Sequence, residues 1–483
     1  MYLGIDLGTS GIKVIVLDES GIIVASQTES LRVSRPKDLW SEQNPEHWWT
    51  ALNKAILGLR EQVELSNIIS IGLSGQMHGA TLVDKNGEVI RPCILWNDGR
   101  STQECCELEE VVPNCREITG NMVMAGFTAP KLLWVKRNEP ENFSRIDKVL
   151  LPKDYLRFRM SGDFASDMSD AAGTSWLDVK NRCWSDEMLS ATGLTQQHMP
   201  RLYEGTEITG LVSNELASEW GMPCVPIVAG AGDNAAGAIG VGIIKQGQAM
   251  LSLGTSGVYF SVSDTFTSDP ENALHSFCHA IPNKWHTMSV MLSAASCLSW
   301  FAKTAEFIDV KEMIDEAEKA QCCGSLIFLP YLSGERTPHN DPQAKGVFFG
   351  LTPATTREQM ALAILEGVGF ALADCMDVLH EASGFPDDIS LIGGGARSVF
   401  WRQMLADIFG ISVSYRAGGD VGPALGAARL AHVGVKPDQD IASICPTTSL
   451  VQTYHPEPNK NKRYMAKRRK FSELYNRLKG FTV

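Results

Sequence analysis

The pentapeptide Leu-Gly-Thr-Ser-Gly occurs twice, at residues 7–11 and again at residues 253–257. A chain of 483 residues exceeds what one hydrophobic core can organise. Copies spaced half a chain apart are too distant for a solenoid and fit a duplicated domain. Each copy follows a β-like run, Tyr2-Leu3-Gly4-Ile5-Asp6 or Ala249-Met250-Leu251-Ser252, and precedes another, residues 12–17 or 258–262. Both therefore read as tight β-hairpin turns. Such a turn offers backbone N–H groups and hydroxyls to an anion, and two of them predict one polyphosphate gripped between two domains. Gly-Thr-Ser-Gly is also ordinary turn composition.

Alternating strand-like and helix-like segments place the chain in the α/β class. In the first half a hairpin-rich sheet over residues 1–30 precedes a helix over 45–62. A buried strand over 68–73 then runs into the loop Ser74-Gly75-Gln76-Met77-His78-Gly79. Residues 94–98 read as a strand end, and residues 100–200 as mainly helical. A strand over 225–228 leads into Ala229-Gly230-Ala231-Gly232-Asp233-Asn234 and a small-residue helix. The halves meet near residues 242–247, which divides the chain into domains 1–244 and 245–483. The second half repeats the pattern: a strand over 389–392 ends in Gly393-Gly394-Gly395-Ala396 before a helix, and a later strand precedes a Gly-rich turn near Gly418. Neither a dinucleotide-type Gly-x-Gly-x-x-Gly after a strand nor a P-loop is present.

The net charge of −13 argues against a nucleic-acid binder, so an anion site must be built locally. The first residues lack a signal-peptide pattern, and no run of about 18 apolar residues predicts a membrane span. Twelve scattered cysteines, without Cys-x-x-Cys or zinc spacing, read as reduced thiols of a cytoplasmic protein. The basic cluster over 460–470 reads as a solvated helix face.

Several side chains could carry chemistry. Asp6 ends the first strand beside the first turn. A carboxylate there either bonds turn amides or holds Mg²⁺ against a polyphosphate. Asp233 stands where a Gly-rich turn becomes a helix. It reads equally as an N-cap or as a base that takes a proton from a substrate hydroxyl attacking a phosphoryl group. Met77 and His78 project from a loop of the kind that lines sites, although a lone His is more often structural. Trp96, Asn97 and Asp98 combine a ring face, an amide and a carboxylate, a set that suits a polyol. Gly393 to Ala396 would admit a flat adenosine group beside a helix start, or form a plain turn.

Together these stretches resemble the sugar kinases of the FGGY family, within the actin-like ATPase superfamily. The first family signature is matched by Gly126-Phe127-Thr128-Ala129-Pro130-Lys131-Leu132-Leu133-Trp134-Val135, and the second by residues 346–351 through Gln359 to Glu366. The likeness covers nearly the whole chain. It implies two ribonuclease-H-like domains around a central cleft. Within the family, Gly75–Gly79, Ile94–Arg100, Gly232–Gly237 and Leu332-Ser333-Gly334-Glu335-Arg336-Thr337-Pro338 resemble the branch acting on D-xylulose. Members acting on glycerol carry Arg-Glu where this chain has Met77-His78; those acting on gluconate share Met-His but follow it with Ser instead of Gly79.

The resemblance thus implies phosphorylation of D-xylulose to its 5-phosphate by ATP and Mg²⁺, with ribulose, gluconate or glycerol as alternative acceptors and a non-metabolic actin-like ATPase as the more distant one. It assigns Asp233 as the base; Met77, His78, Trp96, Asp233 and Asn234 to the sugar; Thr9, Ser10, Gly254, Thr255 and Ser256 to the ATP phosphates; and Gly394, Gly395 and Ala396 to the adenosine. Asp6 would orient Mg²⁺ through water, and Lys13 is a further candidate for the terminal phosphate. Family members are often homodimers.

Overall fold

The computed structural model describes residues 1–320, 322–417 and 422–481. The turn expected near Gly418 lies outside them. Two seven-stranded mixed sheets share one kernel. In the first, β1 (Tyr2–Leu7) and β2 (Gly11–Leu17) form a hairpin extended by β3 (Ile23–Ser30), and β4 (Ser70–Gly75) lies parallel to β1. Strands β5 (Ile208–Leu211) and β6 (Pro226–Val228) complete that side, and the short β7 (Ala231–Gly232) adds to the end of β4.

The second sheet repeats this arrangement. Its hairpin is β8 (Gln248–Leu253) with β9 (Gly257–Ser263), and β10 (His275–Cys278) and β11 (Trp285–Met291) extend the β9 side. Strands β12 (Asp388–Ile392), β13 (Val413–Arg416) and β14 (Leu450–Tyr454) extend the β8 side. Here β8–β12 and β12–β13 are parallel, as β1–β4 and β4–β6 are. The identical pentapeptides nevertheless close differently. Leu7 pairs with Ile12 across residues 8–11, whereas Leu253 pairs with Gly257 across three residues.

Strand β4 runs further than the sequence pattern suggests, because Ser74 and Gly75 pair with Asp6 and Leu7. Conversely, only Cys93–Ile94 is strand in the stretch that ends at Asp98. The helix expected over 45–62 is Pro45–Leu59, started by the Asn44 side chain accepting the Glu46 N–H.

One helix ignores the division of the sequence into halves. Gly422–Val435 lies on β1 and β4 of the first sheet and against the Asp233–Val241 helix. The contact is nearly backbone to backbone. A Cβ at Gly4 would overlap the Ala424 carbonyl oxygen, one at Gly72 that of Ala427, and one at Gly426 that of Ala236. Ala424, Ala428 and Ala431 share a core with Tyr2, Ile15, Ala235 and Ile239.

The C-terminal helix, Pro458–Leu478, buries Tyr464, Phe471 and Tyr475. Two residues of its basic cluster are not on a solvated face: Lys467 pairs with Glu366 and Arg468 with Asp374, both on the long Arg357–Ser383 helix. Among the described residues no helix is long and apolar enough to cross a membrane.

Candidate active site

Strand pairing fixes Asp6 at the head of the first turn. Lys13 faces it across the hairpin and Ser74 across the parallel pair. Burial pushes the Asp6 carboxyl up to about 6, against the Ser74 hydroxyl and the Lys13 ammonium. Its Oδ1 is buried without a hydrogen bond of normal geometry.

Asp233 is the first residue of the Asp233–Val241 helix, and the N-cap is Gly232, so the capping reading of Asp233 fails. The approach is tightly set. Gly230 is left-handed at φ +77°, where a Cβ would overlap the Leu73 carbonyl oxygen. Asp233 Oδ1 accepts the Asn234 backbone N–H at 2.7 Å and the Asn234 side-chain amide at 3.0 Å. Burial, and then the neighbouring charge of Asp6, raise the Asp233 carboxyl to about 7.

Two buried carboxyls that interact are costly to ionise together unless a cation or proton accompanies them. No cluster of three or more His, Cys, Asp or Glu side chains that could cage a metal occurs among the described residues. Mg²⁺ is commonly held by one or two carboxylates plus water and phosphate oxygens. The orphaned Asp6 Oδ1 fits that mode.

Met77 and His78 leave the end of β4 on a strained path: His78 has φ +68°, unusual for a residue with a Cβ. Two side chains of the Thr128–Asn138 helix hold that backbone. Lys131 Nζ donates to the His78 and Gly126 carbonyls, both at 2.7 Å, and Thr128 Oγ1 to the His78 carbonyl at 3.2 Å. The His78 ring stacks on Phe127 at 4.6 Å. Its Nδ1 lies 2.6 Å from the Gly173 carbonyl. A carbonyl can only accept, so Nδ1 carries the hydrogen, and burial holds the ring neutral by lowering its pKa to about 3. Nε2 is left with a lone pair for a hydroxyl proton. Met77 packs on Gly232 and Gly173, so the two loops meet backbone to side chain: a Cβ on Gly232 would stand 2.9 Å from Met77 Sδ.

Trp96 is 44% exposed. Its indole N–H donates to Thr9 Oγ1 at 2.9 Å, and that hydroxyl donates to Gln76 Oε1 at 2.8 Å. Gln76 in turn bonds Gln43, whose amide holds the Thr9 carbonyl at 2.7 Å. The structure thus joins Trp96 to the first turn, and in this state the Thr9 hydroxyl is committed within the protein. Ser10 is exposed at the turn tip.

Gly254, Thr255, Gly394 and Gly395 line one cavity of about 840 Å³ together with Leu298, Ile314 and Phe400. That is the size of a ligand pocket. Gly393, at φ +89°, lets the end of β12 press against the Leu253 backbone of the second turn. The turn carbonyls of Gly254 and Thr255 accept the N–H groups of Ala295 and Ser296 at the start of the next helix. Ser256 does not line the cavity, and Ala396 is fully buried in the core behind it.

Sequence reasoning missed Gln43, Gln76, Lys131 and the Gly173 carbonyl. Lys131 stood within the quoted signature, but nothing in its spacing marked it as a clamp on His78.

Comparison with known proteins bears on the family and the fold. The model of the FGGY family of carbohydrate kinases, N-terminal domain, matches residues 1–240, and that of the C-terminal domain matches residues 249–435. The chain is 60% identical over 479 residues to the xylulose kinase of Escherichia coli strain K12, covering 99% of each chain. It is 58% identical over 480 residues to that of Klebsiella pneumoniae, again covering 99% of each. The crystal structure of a xyloylose kinase from Brucella ovis superposes with a TM-score of 0.95 at 46% identity, covering 99% of both chains. Two duplicated sheets, a Gly-Thr-Ser turn on each and matches to both domain models lead to one assignment: the chain belongs to the FGGY family of carbohydrate kinases, with the two-domain mixed α/β fold of that family's sugar kinases in the actin-like ATPase superfamily.

Proposed function

We propose that this chain transfers the terminal phosphoryl group of ATP to the 5-hydroxyl of D-xylulose, with Asp233 as general base. The observation that carries the reading is the meeting of two loops. Gly232, beside Asp233, packs on Met77, beside His78. A carboxyl with a pKa near neutrality and a neutral imidazole with a free lone pair therefore sit on two loops that touch.

Asp233 takes the hydroxyl proton as the new O–P bond forms and the bond to the ADP oxygen breaks. His78 Nε2 accepts a sugar hydroxyl, and Asn234 keeps Asp233 Oδ1 oriented. The turns at residues 8–11 and 254–256 present N–H groups to the phosphates, and Lys13 adds a positive charge beside Asp6. Asp6 would hold Mg²⁺, which when bound would offset charge on the transferring group. The pocket at Gly394 and Gly395 takes the adenosine. Sugar binding draws the two domains together and keeps water from the terminal phosphate. The xylulose kinase relatives at 58–60% identity support the choice of acceptor.

The test is ADP release from Mg-ATP with D-xylulose, L-ribulose, D-ribulose, glycerol, gluconate or no sugar, in wild type and Asp233→Ala. Activity led by D-xylulose and abolished in Asp233→Ala, with nucleotide still bound, is expected. A different leading polyol overturns the acceptor; a Asp233→Ala variant with near-normal turnover overturns the base.

A further inference from the structure

Behind both loops lies a fully buried charged cluster that the transfer reaction does not itself use. Lys153 Nζ is 2.7 Å from Asp154 Oδ1, 2.6 Å from Asp167 Oδ2 and 3.1 Å from Asp170 Oδ2, and all four side chains are 0% exposed. Arg157 joins them through Asp154 at 3.2 Å. Two cations face three carboxyls. Asp170 is pushed well above the usual carboxylate range, by burial and by the other two carboxyls against Lys153, so a proton on Asp170 makes the cluster neutral.

From this cluster two chains of contacts lead outward. Asp167 Oδ1 takes the Ser169 hydroxyl at 2.5 Å, and Ser169 Oγ in turn accepts the Gly232 N–H at 3.1 Å, one residue before Asp233. Arg157 donates to the carbonyl of Ala229, at the start of the same loop. The Asp233 loop is therefore held at both ends. Four residues beyond Ser169, the Gly173 carbonyl receives His78 Nδ1–H.

We infer that the strip from Asp167 to Gly173, clamped by Lys153, is a positioning device that sets the Asp233 loop and His78 at a fixed separation, with Ser169 as the positioning residue for Asp233. Neither Ser169 nor Gly173 is assigned to the sugar. Ser169 acts through the Gly232 amide and Gly173 through the imidazole. Buried ion pairs and hydrogen bonds restrict the arrangement of their neighbours, and here the neighbours are the two loops assigned to the acceptor. The inference rests on the proposed roles of Asp233 and His78.

The two ends have separable kinetic consequences. A group that holds the base affects the step in which the proton moves, whereas a group that holds His78 affects sugar binding in ground and transition states alike. Ser169→Ala removes the acceptor of the Gly232 N–H and nothing that touches substrate. It is expected to lower kcat by about tenfold, with KM for sugar and for Mg-ATP changed by less than about twofold. Rates are expressed per active site, counted by ADP-binding titration, so that misfolded protein does not enter. A kcat per active site equal to wild type overturns the inference. So does a loss confined to the number of active sites, or one spread equally over both KM values. The proposed base is tested apart: an active Asp233→Ala removes the reading on which the inference rests, whereas an inactive Asp233→Ala with a wild-type Ser169→Ala removes the inference alone.

Discussion

Replacing Gly173 by Ala probes the contribution of His78 orientation without removing a polar group. Gly173 is outside the left-handed region, so its backbone accepts a Cβ without strain. The obstacle is spatial. The added methyl would stand 2.5 Å from His78 Cε1, 2.6 Å from Nδ1 and 3.0 Å from Met77 Cε, whereas ordinary contact begins at 3.4 Å. The ring must retreat by about 1 Å, which breaks the 2.6 Å bond to the Gly173 carbonyl and disturbs the stack on Phe127. A displacement of that size at a substrate-positioning group can cost about a hundredfold. That corresponds to about 2.7 kcal/mol in kcat/KM for D-xylulose, carried mainly by the sugar KM. The assay is coupled ADP release with sugar varied at saturating Mg-ATP, and then with ATP varied at saturating sugar. The ATP KM should stay within about twofold. Sugar kinetics equal to wild type would refute the assignment of His78 to the acceptor site; a rise in the ATP KM of the same size would show that the methyl disturbs the cleft as a whole.

Three further outcomes follow from the same structure. Asp233 holds its proton up to about pH 7, and a base must be ionised, so kcat/KM for sugar should fall about tenfold per unit below that pH. A flat profile down to pH 5.5 removes Asp233 from proton transfer. The same raised pKa acts on stability in the opposite sense: the folded state binds the proton more tightly than the unfolded chain, so this group's contribution to stability falls as pH rises from the ordinary carboxylate range to about 7. Gly426→Ala places a methyl on the Ala236 carbonyl between two packed helices. It should lower stability in urea by roughly 1–3 kcal/mol or more, and an unchanged midpoint would contradict the backbone-to-backbone contact.

Much of the scaffold was legible because its signals are local. The repeated pentapeptide gave both hairpins, and the small residues around Asp233 gave the strand-to-helix passage. What escaped was set by pairing across the chain. Ser74 and Gly75 read as loop from their composition, yet they are strand because Asp6 and Leu7 lie beside them. Nothing around Thr9 in the sequence showed that its hydroxyl is held by Gln76 and Trp96, residues far along the chain. Lys153 and its carboxyls carry no spacing that distinguishes a buried cluster from surface charge. The composition of residues 422–435 does not tell which sheet buries that helix.

That helix has a consequence for how the protein is made. Its seat on β1 and β4 is finished early in synthesis, while the helix itself leaves the ribosome roughly 190 residues after the first half ends, a delay of about 10 to 40 s at ordinary elongation rates. Until then the newborn first half displays a glycine-lined sheet face with nothing on it. The two halves of the gene are accordingly not two independent folding units. A product stopped between them, or an attempt to express the first half alone, lacks the last piece of its own interior.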